Sequence, residues 1–350
     1  MDTLEVMVSK GVRAKCHWGS DSGKFARRIP TLLLASLLAS FVLMTSALLD
    51  SAQAGGLYVS EFSTSSQGNA GAGRGAWVPD ASAALHNPAL MTELDDHAFS
   101  TGFSLGFGNV HFDSSTGSNG GNQAGIAPIA SFSYVHKVSD RVRLGLSFYS
   151  ISGSILDPSD NWAGRFQVTE LSLLTISISP TIAVRVTDWL SIGGGPLVSY
   201  GVLNWKFRVP IPMGSESNIN LDDLDDWQAT GRVGLLLHPH ENFALSIYYN
   251  GKTDFSLKGS FKGPAGFDPD LDVDLPLVQF VEVSGHWQVT KRIALLATAN
   301  WEDWSDADSV KVTIGSDTTS ATLGFHDTFK LGLGANYRLN RDWLLQTGVM

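Results

Sequence analysis

Many short segments of the chain alternate between apolar and polar residues. In residues 174–186 the even positions hold Leu, Ile, Ile, Pro, Ile, Val and Val, while the odd positions hold Thr, Ser, Ser, Thr, Ala and Arg. A period of two is typical of a β-strand with one apolar and one polar face. Residues 329–339 repeat the pattern, with aromatic and aliphatic residues on one face and Lys, Gly, Asn and Arg on the other. The pattern therefore predicts an all-β protein.

Tight polar turns and long loops rich in Gly, Ser, Asn and Asp alternate between these segments. Short turns on one side and long loops on the other are typical of an outer-membrane β-barrel, with apolar side chains facing lipid and polar ones facing the lumen. A soluble all-β fold with its apolar face inward is the alternative. Tryptophans near strand ends fit an aromatic girdle at the bilayer interface; they are Trp189, Trp205, Trp227, Trp301, Trp304 and Trp343.

The alternating segments number about eleven. They cover residues 97–108, 127–138, 141–152, 170–186, 189–207, 227–238, 242–257, 278–289, 292–312, 327–339 and 342–350. Bacterial single-chain barrels have an even number of strands, and the last segment stops at Met350 without a closing aromatic strand. We therefore expect the sequence to be truncated at its C-terminus by roughly three strands.

The first 54 residues read as a secretory signal peptide. Lys24, Arg27 and Arg28 precede an apolar run over residues 31–49, and Ala52-Gln53-Ala54 offers a cleavage site. The basic region is long, so a start at Met7 or later is an alternative, as is a retained anchor helix. The lone cysteine, Cys16, lies in this leader, so the mature chain is expected to contain no disulfide.

The formal charge is -10, and much of it lies in two acidic segments, residues 222–226 and 268–274. We expect solvated outer loops there; a site for divalent cations that bridge lipopolysaccharide is the alternative. No basic patch for nucleic acid is present, and no histidine after the leader lies in a Gly-x-Ser-x-Gly setting or a convincing metal-ligand cluster. The sequence thus predicts no enzymatic activity, no cofactor and no nucleic-acid partner.

Residues 55–95 do not alternate and are rich in small residues. Asp80 or Ser82 can cap a short helix, which Asn87-Pro88 ends. This segment is expected to form a compact plug that precedes the barrel.

The segments Gly68–Gly73, Asp80–Ser82 and Asn87–Met91 resemble the N-terminal hatch of long-chain fatty-acid outer-membrane transporters, the FadL-like family that includes aromatic-hydrocarbon transporters. Residues 162–166, 301–305 and 324–330 also resemble that family. The resemblance implies a transmembrane antiparallel barrel of fourteen strands in the complete protein, formed here by residues 96–350, with residues 55–95 as a hatch inside the lumen.

The resemblance also implies a function and a compartment. Hydrophobic molecules, above all long-chain fatty acids, would diffuse passively from an outer groove through an apolar pocket and leave sideways at a kink in the third strand. That strand is residues 141–152, followed by Gly153, and it contains no proline. The expected location is the Gram-negative outer membrane, in a multi-pass monomer that contacts outer-membrane lipid, lipopolysaccharide and the barrel assembly machinery.

The resemblance implies a pocket that offers basic groups to an acidic head group. Arg165 lies where the family's Gly-Arg motif has its arginine, and His326 lies at a position where a lysine can stand. Lys330 is the third candidate, placed on the polar, lumen-facing side by its own alternation. A basic side chain in an apolar cavity suits a carboxylate because the charge pair is shielded from water. A structural ion pair is the alternative for each.

Six further hatch positions belong to this prediction. Leu57, Tyr58 and Phe62 are candidates to line the pocket, or else to pack within the hatch. In the motif Asn87-Pro88-Ala89, Asn87 is expected to fix the turn through its side chain.

Three other functions remain open. A water-filled porin would lack the hatch, an adhesin would have larger loops, and a transporter of neutral hydrocarbons would need no basic pocket.

Overall fold

The computed structural model describes residues 63–113, 117–159, 161–211, 215–262, 269–322 and 324–350. The predicted signal peptide and the residues Leu57, Tyr58 and Phe62 lie outside these ranges. Fifteen antiparallel strands form one sheet in the described part. They are β1 (Ala98–Phe107), β2 (Ile126–Lys137), β3 (Val142–Leu156), β4 (Glu170–Thr187), β5 (Leu190–Ile211), β6 (Ser215–His240), β7 (Phe243–Asn250), β8 (Thr253–Lys262), β9 (Asp270–Leu277), β10 (Phe280–Gln288), β11 (Ile293–Glu302), β12 (Ser309–Ile314), β13 (Asp317–Thr322), β14 (Thr328–Arg338) and β15 (Leu344–Val349).

Eleven of these strands pair in chain order: β1 to β7, then β10, β11, β14 and β15. They correspond to the eleven predicted strands, so the antiparallel all-β prediction is confirmed. The other four strands, β8, β9, β12 and β13, leave this order and pair with one another. They join the sheet through β8, which pairs with the outer part of β6.

Four details of the strand prediction are wrong. Residues 242–257 divide into β7 and β8, and residues 292–312 divide into β11 and β12 around a short 3-10 helix, Ser305–Ala307. The acidic segment 268–274 is not a loop throughout, because Leu271 and Val273 are buried in β9 while its aspartates alternate with them. Likewise, residues 222–226 are part of β6.

The two faces of the sheet are reversed relative to a soluble protein, as predicted. On β4, Ser177 and Ser179 are fully buried, whereas Leu174 is 41% and Ile182 49% exposed. Apolar side chains therefore point outward and hydroxyl-bearing ones inward. Two tryptophans depart from the predicted girdle. Trp205 packs against a buried apolar cluster, and Trp304 is buried and donates a hydrogen bond from Nε1 to Glu302 at 2.9 Å.

The hatch packs against the inner face of the sheet. It contains two one-turn helices, Thr64–Gln67 and Ala83–His86, and a 3-10 helix, Pro88–Glu93. Gln67 Nε2 donates to Ser104 Oγ on β1 at 3.1 Å, and Gln346 Nε2 on β15 donates to the carbonyl of Ser65 at 3.3 Å. The first and last strands therefore both reach the same hatch turn, so the sheet curls around the hatch.

No helix in the described ranges is long and apolar enough to cross a membrane.

Candidate transport path

The interior between the outer strands and the hatch is apolar. A single buried cluster joins Phe255 on β8 and Leu271 on β9 to Leu197 on β5, and it reaches Tyr149 on β3 and Leu85 on the hatch. Trp205, Phe207 and Val312 pack against it from the side. We call this cluster the apolar interior. It connects the outer end of the sheet with the hatch. Only an apolar molecule could bind there without leaving its own polar groups buried and unpaired.

The hatch forms the floor of this interior, and Asn87 fixes its turn. The Oδ1 atom of Asn87 accepts from the Ala89 N–H at 3.0 Å, while Nδ2 donates to the carbonyls of Gly75 and Leu235 at 3.1 and 3.2 Å. The side chain thus hydrogen-bonds to backbone groups of both the hatch and the wall. Glycine on the wall makes this possible, because a Cβ at Gly234 would overlap Asn87 Oδ1.

The wall is interrupted between β2 and β3. Their pairing runs from Lys137 opposite Arg143 to Ser131 opposite Tyr149 and then stops. Above that point β2 still pairs with β1, and β3 still pairs with β4. Among the described residues, however, β2 and β3 no longer pair with each other. An isolated bridge between Ala124 and Leu156 closes the gap at the top. We call this bounded gap the seam.

The seam coincides with an irregularity in the third strand. The pairing of β3 with β4 shifts register between Ser150 and Ser152, directly above the last residue paired with β2. Such a bulge bends its strand and increases the local twist. Pro128 on β2 lies at the same level and has no N–H to donate to a neighbour. Both strands therefore disfavour continued pairing here.

Tyr149 links the seam to the hatch through a buried arginine. Arg232 on β6 donates to the Tyr149 hydroxyl at 2.8 Å and to the hatch carbonyls of Ala84 and Leu85 at 2.6 and 2.7 Å. Its guanidinium also lies 5.4 Å from the ring centre of Tyr248. Sequence reasoning missed Arg232; the signal was a basic residue at an inward position of an alternating strand.

Arg165 lies in the segment between β3 and β4 and is paired with a carboxylate of the protein itself. Its Nη2 is 2.6 Å from Oε1 of Glu216, which also accepts from Arg208 at 3.2 Å. Hydrogen bonding from Arg165 holds the pKa of Glu216 below its ordinary value. Glu216 therefore stays ionised and competes with any substrate carboxylate for Arg165.

Lys330 is also paired. Its Nζ is 2.6 Å from Oε1 of Glu302, a fully buried carboxylate on the neighbouring strand. Glu302 accepts further hydrogen bonds from Asn300, Trp304 and Thr328. His326, in contrast, is exposed in the segment before β14. The structure thus does not bring Arg165, His326 and Lys330 together around one cavity.

Comparison with known proteins places these features in a family. A family model described as outer membrane protein transport protein (OMPP1/FadL/TodX) matches residues 45–350. A long-chain fatty acid transport protein of Escherichia coli O6:H1 is 24% identical over 91% of this chain and 81% of its own length. Outer membrane protein P1 of Haemophilus influenzae is 25% identical over 90% of this chain and 80% of its own length.

Solved structures share the fold. A FadL homologue from Pseudomonas aeruginosa superposes with a TM-score of 0.73 at 19% identity, covering 84% of this chain and 80% of its own. The toluene transporter TbuX of Ralstonia pickettii gives 0.65 at 18% identity, covering 82% and 85%. The chain therefore belongs to the OMPP1/FadL/TodX family of outer-membrane transport proteins, whose members are transporters of the Gram-negative outer membrane.

Proposed function

We propose that this protein carries hydrophobic molecules across the outer membrane by passive diffusion, with the seam between β2 and β3 as a side exit. The observation that carries the proposal is the loss of pairing above Ser131 and Tyr149. Backbone groups at a lipid-facing gap are costly unless something else satisfies or covers them. A gap that is kept despite this cost, at a bulged strand, supports a functional opening.

The path follows from the neighbouring contacts. A hydrophobic molecule enters the apolar interior from the outer strands and meets the hatch, which blocks the lumen. Tyr149 belongs to the apolar interior and also forms the lower edge of the seam. A molecule that reaches Tyr149 can therefore move sideways into lipid without crossing the hatch.

Long-chain fatty acids are the substrates we favour, because sequence relatives that match over 81% and 82% of their own length are named long-chain fatty acid transport proteins. Neutral hydrocarbons are the second candidate. One specific observation favours them: the ion pairs of Arg165 with Glu216 and of Lys330 with Glu302 already occupy two of the three predicted carboxylate ligands.

A reversible disulfide across the seam tests the exit. Ala130 and Ser150 are the next residues above the last β2–β3 pair, so Ala130→Cys with Ser150→Cys should close the seam under oxidising conditions. Phe132→Cys with Phe148→Cys is the matched control, because these residues face each other where the strands are already paired.

The measurement is uptake of labelled oleate and of a labelled alkane by transporter-deficient cells. The Ala130/Ser150 disulfide should reduce uptake and reductant should restore it, whereas the control disulfide should change little. No uptake by the wild-type protein would refute transport of these molecules. Equal uptake with the two disulfides would refute the seam as an exit.

A further inference from the structure

The wall has a second interruption, on β6. Its lower part pairs with β7 from Arg232 to His240, and its upper part pairs with β8 from Asn220 to Asp225. Residues 226–231 have no ladder partner on that side among the residues the structure describes. Single hydrogen bonds hold the two ends of this gap: the Gly251 N–H donates to the Gly231 carbonyl at 3.0 Å, and the Ser256 N–H to Asp226 Oδ2 at 2.9 Å.

The gap arises because β7 is short. It ends at Asn250, the chain turns at Gly251 and Lys252, and β8 pairs with β6 only at a higher level. The turn needs glycine, since a Cβ at Gly251 would overlap Thr230 Oγ1. On β6 itself Gly231 leaves open space: no heavy atom of the described residues lies within 4 Å of where its Cβ would stand.

A cavity of about 400 Å³ occupies this gap, and residues from both faces of the sheet line it. Val233 and Tyr249 point outward, 45% and 37% exposed. Arg232 points inward to the hatch carbonyls, and Thr230 shares its face because it is two residues away on the same strand. The cavity therefore lies between residues of the outer and inner faces, at the break in the β6 ladder.

The cavity lies at the level of the outer leaflet. With the rise of an antiparallel strand and the usual barrel tilt, Gly231 stands about 23 Å above the short turn at His240, close to the upper limit of the roughly 25 Å apolar band. Trp227, at the upper end of the gap, is 63% exposed, as expected of an aromatic ring at the interface.

We propose that this cavity is a second side port, through which an apolar molecule passes between the lumen and the outer leaflet. Its volume falls in the range of small-molecule sites. Val233 and Tyr249 offer the molecule apolar contact on the lipid side, and Thr230 lies on the lumen side. The inference rests on the proposed function but concerns a different part of the wall from the seam.

A tryptophan at Gly231 would share the outward face of Val233, two residues away, so Gly231→Trp covers the outer mouth of the port without displacing any described atom near the Cβ. Gly285→Trp is the matched control, because a Cβ at Gly285 on β10 meets only ordinary contacts, the nearest being Phe243 Cε2 at 3.9 Å. Both substitutions are made in the protein whose seam is closed by the Ala130/Ser150 disulfide. Uptake of a labelled alkane should persist with Gly285→Trp and fall at least several-fold with Gly231→Trp. Equal uptake by the two variants, or none in the seam-closed parent, would overturn the port.

A second measurement does not depend on transport. A diazirine-bearing alkane is photolysed with the protein in lipid nanodiscs, and its adducts are located by mass spectrometry. Thr230 faces the lumen, so its labelling should be strong in the wild-type protein and in Gly285→Trp, and lost in Gly231→Trp. Absence of label on Thr230 in the wild-type protein, or label that persists in Gly231→Trp, would refute the port even if no uptake were measured.

Discussion

The guanidinium of Arg74 lies 2.7 Å from the carboxylate of Glu282, and both side chains are almost completely buried. Arg74 belongs to the hatch and Glu282 to β10, so the pair ties the plug to the wall. Glu282 also accepts from the hydroxyl of Ser284 at 3.1 Å, and a Cβ at Gly75 would crowd both groups. The hatch is therefore held against the wall by a desolvated charge pair at Arg74 and by the hydrogen bonds of Asn87.

Arg74→Met is expected to loosen the hatch, because it leaves the Glu282 carboxylate buried and uncompensated. Removing one partner of a buried ion pair costs about 3–5 kcal/mol. The strand ladders do not depend on Arg74, so we expect the loss to appear as faster amide exchange in residues 63–95 and as added conductance in planar bilayers. Exchange equal to wild type would show that the pair does not hold the hatch.

The double variant Arg74→Met with Glu282→Leu is the control for that experiment. It removes both charges and leaves an apolar contact in their place, which is often neutral for stability. Amide exchange in the hatch should return toward the wild-type rate.

Gly234→Ala should displace the hatch turn. Its Cβ would overlap Asn87 Oδ1, and Asn87 is fully buried with hydrogen bonds to hatch and wall. Gly285→Ala is the matched control, since that position has room for a Cβ. We expect higher bilayer conductance for Gly234→Ala only. Identical currents from the two variants, with both folded, would contradict a plug role for this turn.

The strands could be predicted because the alternation within each segment shows which residues lie on its apolar face and which on its polar face. The alternation over residues 174–186 places Ser177 and Ser179 inward whatever their partners are. The errors in the strand prediction come from long-range pairing. Nothing in the local sequence of residues 242–257 shows that β8 pairs with the upper part of β6 rather than continuing β7. The seam and the port are both ladder gaps, and a gap is a relation between two strands that neither sequence segment contains alone.

The candidate site was harder to predict for the same reason. A basic residue at an inward position suggests a ligand, yet Arg165 and Lys330 each face a carboxylate more than 25 residues away along the chain. The sequence does not reveal these partners. Arg232 could have been proposed on its inward position alone, but its hatch contacts depend on how the sheet curls.

Glu216→Gln tests whether Arg165 binds substrate. The substitution removes the charge that now pairs with Arg165 and Arg208, so both cations become available to a carboxylate. If Arg165 is a ligand, oleate affinity should rise by roughly three- to tenfold, and Arg165→Ala should lower it. Hexadecane binding, measured in parallel, should not change. Unaltered oleate affinity in both variants would exclude the head-group role and favour neutral substrates.

Lys330→Met separates a structural role from a ligand role. Glu302 would keep its hydrogen bonds from Asn300, Trp304 and Thr328 but lose its counter-charge, at a cost of about 1.5–3 kcal/mol. We expect lower stability to urea with unchanged oleate affinity. Adding Glu302→Gln should recover part of the stability. A variant that is as stable as wild type but binds oleate weakly would instead support the ligand role.

Two prolines face each other on the lipid side of β4 and β5. The pairing stops at Ile178 opposite Val198 and resumes at Ile182 opposite Gly194, which places Pro180 opposite Pro196. Proline has no N–H, so the ladder loses a donor inside the bilayer. The buried hydroxyl of Ser179 replaces it, donating to the Pro196 carbonyl at 2.9 Å.

Ser179→Ala should therefore destabilise the barrel wall by about 1–3 kcal/mol, the cost of leaving a buried carbonyl without a donor. Ser147 offers a matched control, because it lies directly opposite Ser179 on β3, is equally buried, and its hydroxyl has no hydrogen-bond partner among the described residues. Ser147→Ala removes the same atom without breaking a bond and should be close to neutral. Unfolding in urea from lipid vesicles gives both values. Equal stability losses would mean that the cost is lost packing, and that the Ser179 hydroxyl does not compensate for the prolines.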